Sequence, residues 1–380
     1  MNSQKCSTFI RLHMLVIKFY TACKLSLKKI ASSSTFLFVP NNFILGNGSA
    51  ALQSNYKTTS EQQSDQMENN RRGQKKIRVL DGSFAAELSN VFSGYFDAER
   101  PNWTFDAVIH DPEAVVAVHK RFIDAGVDDI TTNTYHASLL CLKDQGLNGA
   151  EFIKKAVGLL MDTVSIHQFG DRLRIWGSIG SYAICFRGEA AEYTGAFVDV
   201  QPPIKIMKTL IAYHMGQIEA MKATGVRDLL FETISSAREA EAICEALNRH
   251  DNINAVISFT CRQNSVLLRH GETLESAVRI VLKCPKVVGF GINCTDPGTI
   301  TTLLESVRFQ KNVPDIFVYP NNGKYELHKD VEKPLDIVLN SIEKWVELGA
   351  TVIGGCCGFD AKDISEIKKK IQMLNSNRSA

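Results

Sequence analysis

Val287-Val-Gly-Phe-Gly-Ile-Asn293, followed at once by Cys294, is the stretch on which the fold turns. It is a short β-branched run of strand character, and it is the one such run with a Gly-x-Gly pair, Gly289-Phe-Gly291. In a doubly wound dinucleotide-binding sheet a third glycine would follow and open a helix, but here the next residue of note is Cys294. The fingerprint is missing. Seven further runs of the same kind alternate with longer segments of helical period. Ile77–Asp81, Val127–Thr132, Ile175–Ile179, Asp228–Glu232 and Ala255–Thr260 precede it, and Ile316–Tyr319 and Thr351–Gly355 follow. Among the helical segments, Pro112–Ala125 has Asp111 as N-cap, proline in its first turn and Gly126 as its stop, while Lys205–Thr224 stops at Gly225. Strands that alternate with helices pair in parallel, and eight such units in about 300 residues suit a (β/α)8 barrel, for which ~250 residues is usual. The fold class is therefore α/β, a single TIM-type barrel over residues 77–380. An open doubly wound sheet is the runner-up.

The chain has 380 residues, 44% hydrophobic and 22% charged, enough to bury a sizeable core and unlike a disordered or collagen-like polymer. Lys and Arg outnumber Asp and Glu by 11 to 3 over residues 1–76, against 32 to 38 over residues 77–380. A mildly acidic body offers no cluster of cations to a phosphate backbone, so no nucleic-acid partner is expected. The first acidic residue is Glu61, with Lys5, Arg11, Lys18, Lys24, Lys28, Lys29 and Lys57 ahead of it in a Ser-, Asn- and Thr-rich stretch. Residues 1–76 read as a basic, disordered extension of a cytoplasmic enzyme, with Met67 opening the working protein. The alternative is a transit peptide and mitochondrial import. The apolar run Leu12–Ile17 is far short of the roughly 20 residues of a membrane span, so no membrane partner is expected. Ten cysteines are too few for a disulfide scaffold, and the adjacent Cys356 and Cys357 read as thiols of a reducing compartment.

In a barrel the chemistry belongs at the C-terminal strand ends. Those ends carry Asp81-Gly82, Thr131-Thr132-Asn133, Glu232-Thr233, Asn293-Cys294 and Gly354-Gly355-Cys356-Cys357-Gly358. Three cysteines at one mouth suggest a zinc site with three thiolate ligands and an open fourth position, the mark of a catalytic zinc. Three thiolates make zinc a poor Lewis acid for splitting water but a good carrier for a substrate thiolate, whereas hydrolytic sites use His and carboxylate ligands. A bland reading of the adjacent pair is two small core residues or a redox-active vicinal disulfide. Gly354, Gly355 and Gly358 favour the metal, because they let the backbone turn both side chains to one point. A barrel hydrolase or deaminase would need His or Asp ligands after the first strand, where Asp81-Gly-Ser-Phe84 has no histidine, and the chain has no HExxH spacing.

Five elements then occur in order: Ile130-Thr-Thr-Asn-Thr-Tyr135, Asp228-Leu-Leu-Phe-Glu-Thr233, Gly291-Ile-Asn-Cys294, Val318-Tyr-Pro-Asn-Asn-Gly323 and Gly354-Gly-Cys-Cys-Gly358. Together they resemble the motif set of the homocysteine S-methyltransferase family, from about Val79 to Ile371. The resemblance implies a (β/α)8 barrel that binds one zinc through Cys294, Cys356 and Cys357 and methylates the sulfur of L-homocysteine to give methionine. It also implies that Asp81 and Glu232 serve the amino acid, whose ammonium suits charge-assisted bonds to carboxylates. The substrate carboxylate is expected on the backbone near Gly82 and Ser83 and on the hydroxyl of Thr132 or Thr131. The methyl donor should be cationic, because a neutral sulfide or amine must leave, and cationic methyl groups are recognised by aromatic faces. Trp103, Tyr135 and Tyr182 are the candidates. The stretch Gly177–Tyr182 and Glu192-Tyr-Thr-Gly195 resembles the members that use S-methylmethionine or S-adenosylmethionine, while Cys356-Cys-Gly-Phe359 is similar to the betaine-using ones. A non-catalytic metal-binding barrel would keep the cysteines yet have no need of Asp81 and Glu232.

Overall fold

The computed structural model of the protein describes residues 76–92, 104–166, 173–186, 190–307, 315–322 and 333–379. The basic segment 1–75 and Trp103 lie outside the described residues. Eight strands run in parallel: β1 (Arg78–Val79), β2 (Asp129–Thr131), β3 (Arg174–Gly180), β4 (Asp228–Ile234), β5 (Asn254–Phe259), β6 (Val287–Asn293), β7 (Asp315–Tyr319) and β8 (Val352–Ile353). Hydrogen bonds order them β1-β8-β7-β6-β5-β4-β3-β2. A parallel bridge between Leu80 and Asp129 joins the two ends of the row, with the Asp128 N–H donating to the Val79 carbonyl at 2.8 Å. The row is a barrel.

Both faces of the strands are apolar because each meets a different layer. Leu80, Trp176, Leu230, Val256, Phe317, Tyr319 and Val352 pack together as one buried cluster, while residues such as Ile130, Phe231, Ile257, Phe290 and Ile292 pack with the helices as another. The glycines of β6 serve this packing. A Cβ at Gly289 would stand 2.4 Å from the Asp315 carbonyl oxygen and one at Gly291 would stand 2.6 Å from the Ser258 hydroxyl. No dinucleotide loop is needed to explain them.

Helix ends fall where the side chains dictate. The Asp111 side chain accepts the Ala114 N–H at 3.1 Å, the helix runs Pro112–Asp124, and Gly126 takes φ +86° just beyond it. The segment expected from Lys205 begins two residues earlier, at Pro203, since proline in the first turn costs no hydrogen bond. β1 and β8 are shorter than expected because the chain leaves the ladder to build the mouth, although Gly354 and Gly355 still donate to the carbonyls of Val318 and Asp81. At the opposite end, Arg78 pairs with Asp315 at 2.9 Å and Arg174 with Asp228 at 2.9 Å, and the Trp176 indole donates to Asp129 at 2.7 Å. That polar end ties neighbouring strands together and frees the mouth for chemistry. No described helix is long and apolar enough to cross a membrane.

Candidate active site and metal centre

The cysteines reach one point because the backbone at two strand ends takes conformations that side-chain-bearing residues rarely adopt. Cys294, after β6, has φ +45°, and Thr233, in β4, has φ +60°. Such strain persists only where the surroundings enforce it. Here Asn293 does so, its side-chain oxygen accepting the Thr233 N–H at 3.0 Å and its amide donating to the Thr233 hydroxyl at 2.9 Å. The Cys294 carbonyl accepts the Thr260 hydroxyl at 3.0 Å, and the Arg269 guanidinium reaches it at 3.5 Å. On the other side, the Cys356 N–H donates to the Pro320 carbonyl at 2.8 Å, and the Asn322 N–H to the Cys357 carbonyl at 2.9 Å. The Asn322 amide donates to the Gly358 carbonyl at 2.8 Å. The segment Tyr319–Asn322 is therefore a clamp for the Cys-Cys-Gly turn.

Sulfur atoms of Cys294, Cys356 and Cys357 all lie within 4.8 Å of one another. Cys357 is 3.6 Å from Cys294, close to the ~3.8 Å that a tetrahedral zinc with bonds of about 2.3 Å sets between two sulfurs. Cys294 and Cys356 are joined in a disulfide, which corrects the expectation that every cysteine is a thiol. The reason is placement: their Cα atoms stand 5.5 Å apart, within bridging range, so the same convergence that suits a metal suits oxidation. Reduced, the three present a soft, one-sided donor set that fits a metal. The Asn293 amide, 3.8 Å from the Cys356 sulfur, supports it from behind. Burial first, then the nearby Glu192 carboxylate, pushes the Cys357 thiol up to about 11.

Asp81 and Glu232 share this mouth, near enough that Glu232 acts on the Asp81 charge. Burial pushes Asp81 up to about 7 despite the Thr131 N–H at 2.8 Å and the Thr131 hydroxyl at 2.9 Å, and burial likewise pushes Glu232 up to about 7 against the Ser178 hydroxyl that donates to it. Among the described residues neither carboxyl has a cationic partner, and such a buried pair is a site prepared for a cation. Ser83 instead caps the helix Phe84–Val91, accepting the Ala86 N–H at 3.2 Å, and its own N–H donates to the Phe359 carbonyl at 2.8 Å. Gly82 is needed for that approach, as a Cβ there would stand 2.6 Å from the Phe359 oxygen. The Thr132 hydroxyl accepts the Ser178 N–H at 3.1 Å and pairs with Thr134 at 2.6 Å.

Of the aromatic candidates, Tyr182 packs among Phe186, Phe197 and Tyr213 and is part of a loop core. Tyr135 lies at the mouth, its hydroxyl donating to Glu192, and its neighbour His136 is held neutral by burial, at about 3. Cys185 sits 3.2 Å from the Ser138 hydroxyl and Cys261 beside Thr295; neither belongs to the sulfur cluster. Sequence reading gave no role to Ser178, Thr233, Asn293 or Tyr319, although the last three lie within the motifs quoted there.

The chain matches the family described as homocysteine S-methyltransferase over residues 78–371. It is 31% identical to the betaine-homocysteine S-methyltransferase of Drosophila melanogaster, covering 79% of this chain and 96% of that protein. It is 28% identical to homocysteine S-methyltransferase 3 of Arabidopsis thaliana, covering 77% and 88%. Among solved structures it is similar to the homocysteine methyltransferase MmuM from Escherichia coli in its metallated form, with a TM-score of 0.66 and 27% identity over 78% of this chain and 96% of that one. With its parallel barrel, its sulfur cluster and a match that spans the whole barrel, the chain belongs to the homocysteine S-methyltransferase family.

Proposed function

We propose that the protein transfers a methyl group from a sulfonium donor, S-methylmethionine or S-adenosylmethionine, to the sulfur of L-homocysteine, giving methionine, with zinc held by Cys294, Cys356 and Cys357. The observation that carries this reading is the pairing, at one barrel mouth, of a three-sulfur cluster with two buried carboxyls. Cys294, Cys356 and Cys357 would hold zinc with a fourth position open, where it would supply the acidity that favours a thiolate over a thiol at neutral pH while leaving that sulfur nucleophilic. Asp81 and Glu232 receive the homocysteine ammonium and fix the direction in which the sulfur points. Burial of the pair removes competing water, which strengthens both contacts. A sulfur lone pair of homocysteine forms the new S–C bond, and the pair of the breaking C–S bond stays with the donor, which leaves as a neutral sulfide. The betaine-using alternative draws support from the likeness to the Drosophila protein.

Elemental analysis tests the metal. The reduced protein is expected to carry about one zinc, and Cys294→Ser, Cys356→Ser and Cys357→Ser each to lose metal and turnover together, since a hydroxyl replaces a soft thiolate. Retention of stoichiometric zinc by all three variants would overturn the site. Methyl-transfer assays with S-methylmethionine, S-adenosylmethionine and betaine decide the donor.

A further inference from the structure

The mouth gathers charged side chains of both signs, the Arg269 guanidinium beside Tyr193 as well as the carboxyls. Asp81 and Glu232 are enough for one ammonium, yet a third carboxylate, Glu192, arrives from a separate loop on the short helix Ala190–Thr194. Glu192 and Glu232 both act on the Cys357 thiol, and the Tyr193 hydroxyl hydrogen-bonds to it. Glu192 is oriented: the Tyr135 hydroxyl donates to its Oε1. Tyr135 can sit there because residue 180 is glycine, where a Cβ would stand 2.5 Å from the Tyr135 carbonyl oxygen. Tyr193 already behaves as a cation acceptor, with the Arg269 guanidinium 4.9 Å from its ring centroid. Gly195, at φ +65°, permits the approach of that loop, since a Cβ there would stand 2.7 Å from the His270 Cβ. A carboxylate and two tyrosines therefore border the sulfur cluster on the side of the Ala190–Thr194 helix.

We infer that Glu192, oriented by Tyr135 and flanked by Tyr193, is the counter-charge for the onium group of the methyl donor and determines specificity for that second substrate. This rests on the methyl-transfer reading above. The electrostatics fix which kinetic quantity Glu192 controls. Before transfer the donor carries a full positive charge; in the transition state that charge is already being cancelled by the incoming sulfur. A fixed carboxylate therefore stabilises the bound donor at least as much as the transition state, so it lowers the donor KM without raising kcat. The same charge distinguishes substrate from product. Once the methyl has left, the donor remnant is a sulfide or amine without the onium charge, and it loses the attraction that held it.

The test uses the zinc-loaded, reduced protein and its Glu192→Gln and Tyr135→Phe variants, with whichever of S-methylmethionine, S-adenosylmethionine and betaine the wild type turns over. Glu192→Gln is expected to raise the donor KM about ten- to a hundredfold, the span for losing one charge-assisted contact, with kcat within about threefold. The homocysteine KM and zinc content should stay at wild-type values, and Tyr135→Phe should move the donor KM in the same direction by less. Calorimetric titration of trimethylsulfonium into homocysteine-loaded protein reads the contact without turnover; wild type should bind it, and Glu192→Gln should bind it more weakly by a similar factor. A donor KM unchanged in Glu192→Gln, a shift in the homocysteine KM instead, or no trimethylsulfonium binding by wild type would each overturn the inference. Absence of turnover with all three donors would count against the methyl-transfer reading itself, and the calorimetry would still judge Glu192 as an onium site.

Discussion

A carboxyl group buried without a cation is a reluctant anion, and among the described residues Asp81 and Glu232 are both in that position. Their folded-state values, about 7, lie above the 3.8 and 4.5 of unperturbed groups, chiefly through burial. The sign follows from proton binding. Between pH 4 and 7 the folded chain holds protons that the unfolded chain has released, so the contribution of this pair to stability falls as pH rises through that window and levels off above it. Homocysteine reverses the penalty by bringing an ammonium. Glu232→Gln is thus expected to raise the melting temperature of the ligand-free protein at pH ~8, with little effect near pH ~4. The same change should weaken homocysteine binding by roughly 1.5–3 kcal/mol, about ten- to a hundredfold, while a thiol lacking the amino group reacts alike with both proteins. Lower melting temperatures at both pH values would mean that Glu232 holds the strand rather than the substrate. Asp81, Glu232 and the three cysteines were legible in the sequence because few tasks suit those residue types at strand ends. The roles of Asn293, Thr233 and Ser178 were not, even though the first two fall within quoted motifs, since common polar residues acquire a role only when their partners across the barrel are known.

Strands and helices were legible to within a few residues, for period and caps are local properties, but the loops that carry the site depend on approaches between distant segments. The Cys-Cys-Gly turn shows the difference. Gly358 takes φ +86°, and a Cβ there would stand 2.1 Å from the Asn322 side chain that clamps the turn. Gly126 also takes φ +86°, yet its nearest neighbour would be the flexible Lys368 side chain at 3.5 Å. Alanine in the left-handed region costs about 1–2 kcal/mol at either position. Only at Gly358 does it also displace the clamp. Gly358→Ala is therefore expected to lose zinc and activity as well as stability, and Gly126→Ala to lose stability alone. Elemental analysis and thermal melts of the pair separate the two effects; full zinc in Gly358→Ala would show that Asn322 yields and that the turn does not depend on it.

Counting eight strand–helix units revealed the barrel, because repetition is visible in a sequence, whereas the seam where the ring closes was not. β1 and β2 meet through a single bridge, Leu80 to Asp129. Side chains make up for the short ladder. Asp128 accepts the Val79 N–H at 3.0 Å, the Lys368 ammonium from the last helix at 2.8 Å and the Lys76 ammonium at 3.1 Å. Burial pushes its carboxyl up, but Lys368, the Val79 N–H and Lys76 together hold it below the ordinary range. With the folded value depressed, the stabilisation is present above the unfolded value of 3.8 and is lost as pH falls through the folded one. Asp128→Asn keeps the acceptor for Val79 and removes the charge that holds both lysines, at a cost of ~1 kcal/mol for this partly exposed group. That corresponds to a melting temperature lower by a few degrees at neutral pH. The gap between variant and wild type should close in acid, where both are uncharged, and should narrow in molar salt. A variant as stable as wild type at pH ~7 would mean that the seam is held by the Leu80–Asp129 bridge and the helix packing alone, with Lys368 a spectator on the surface.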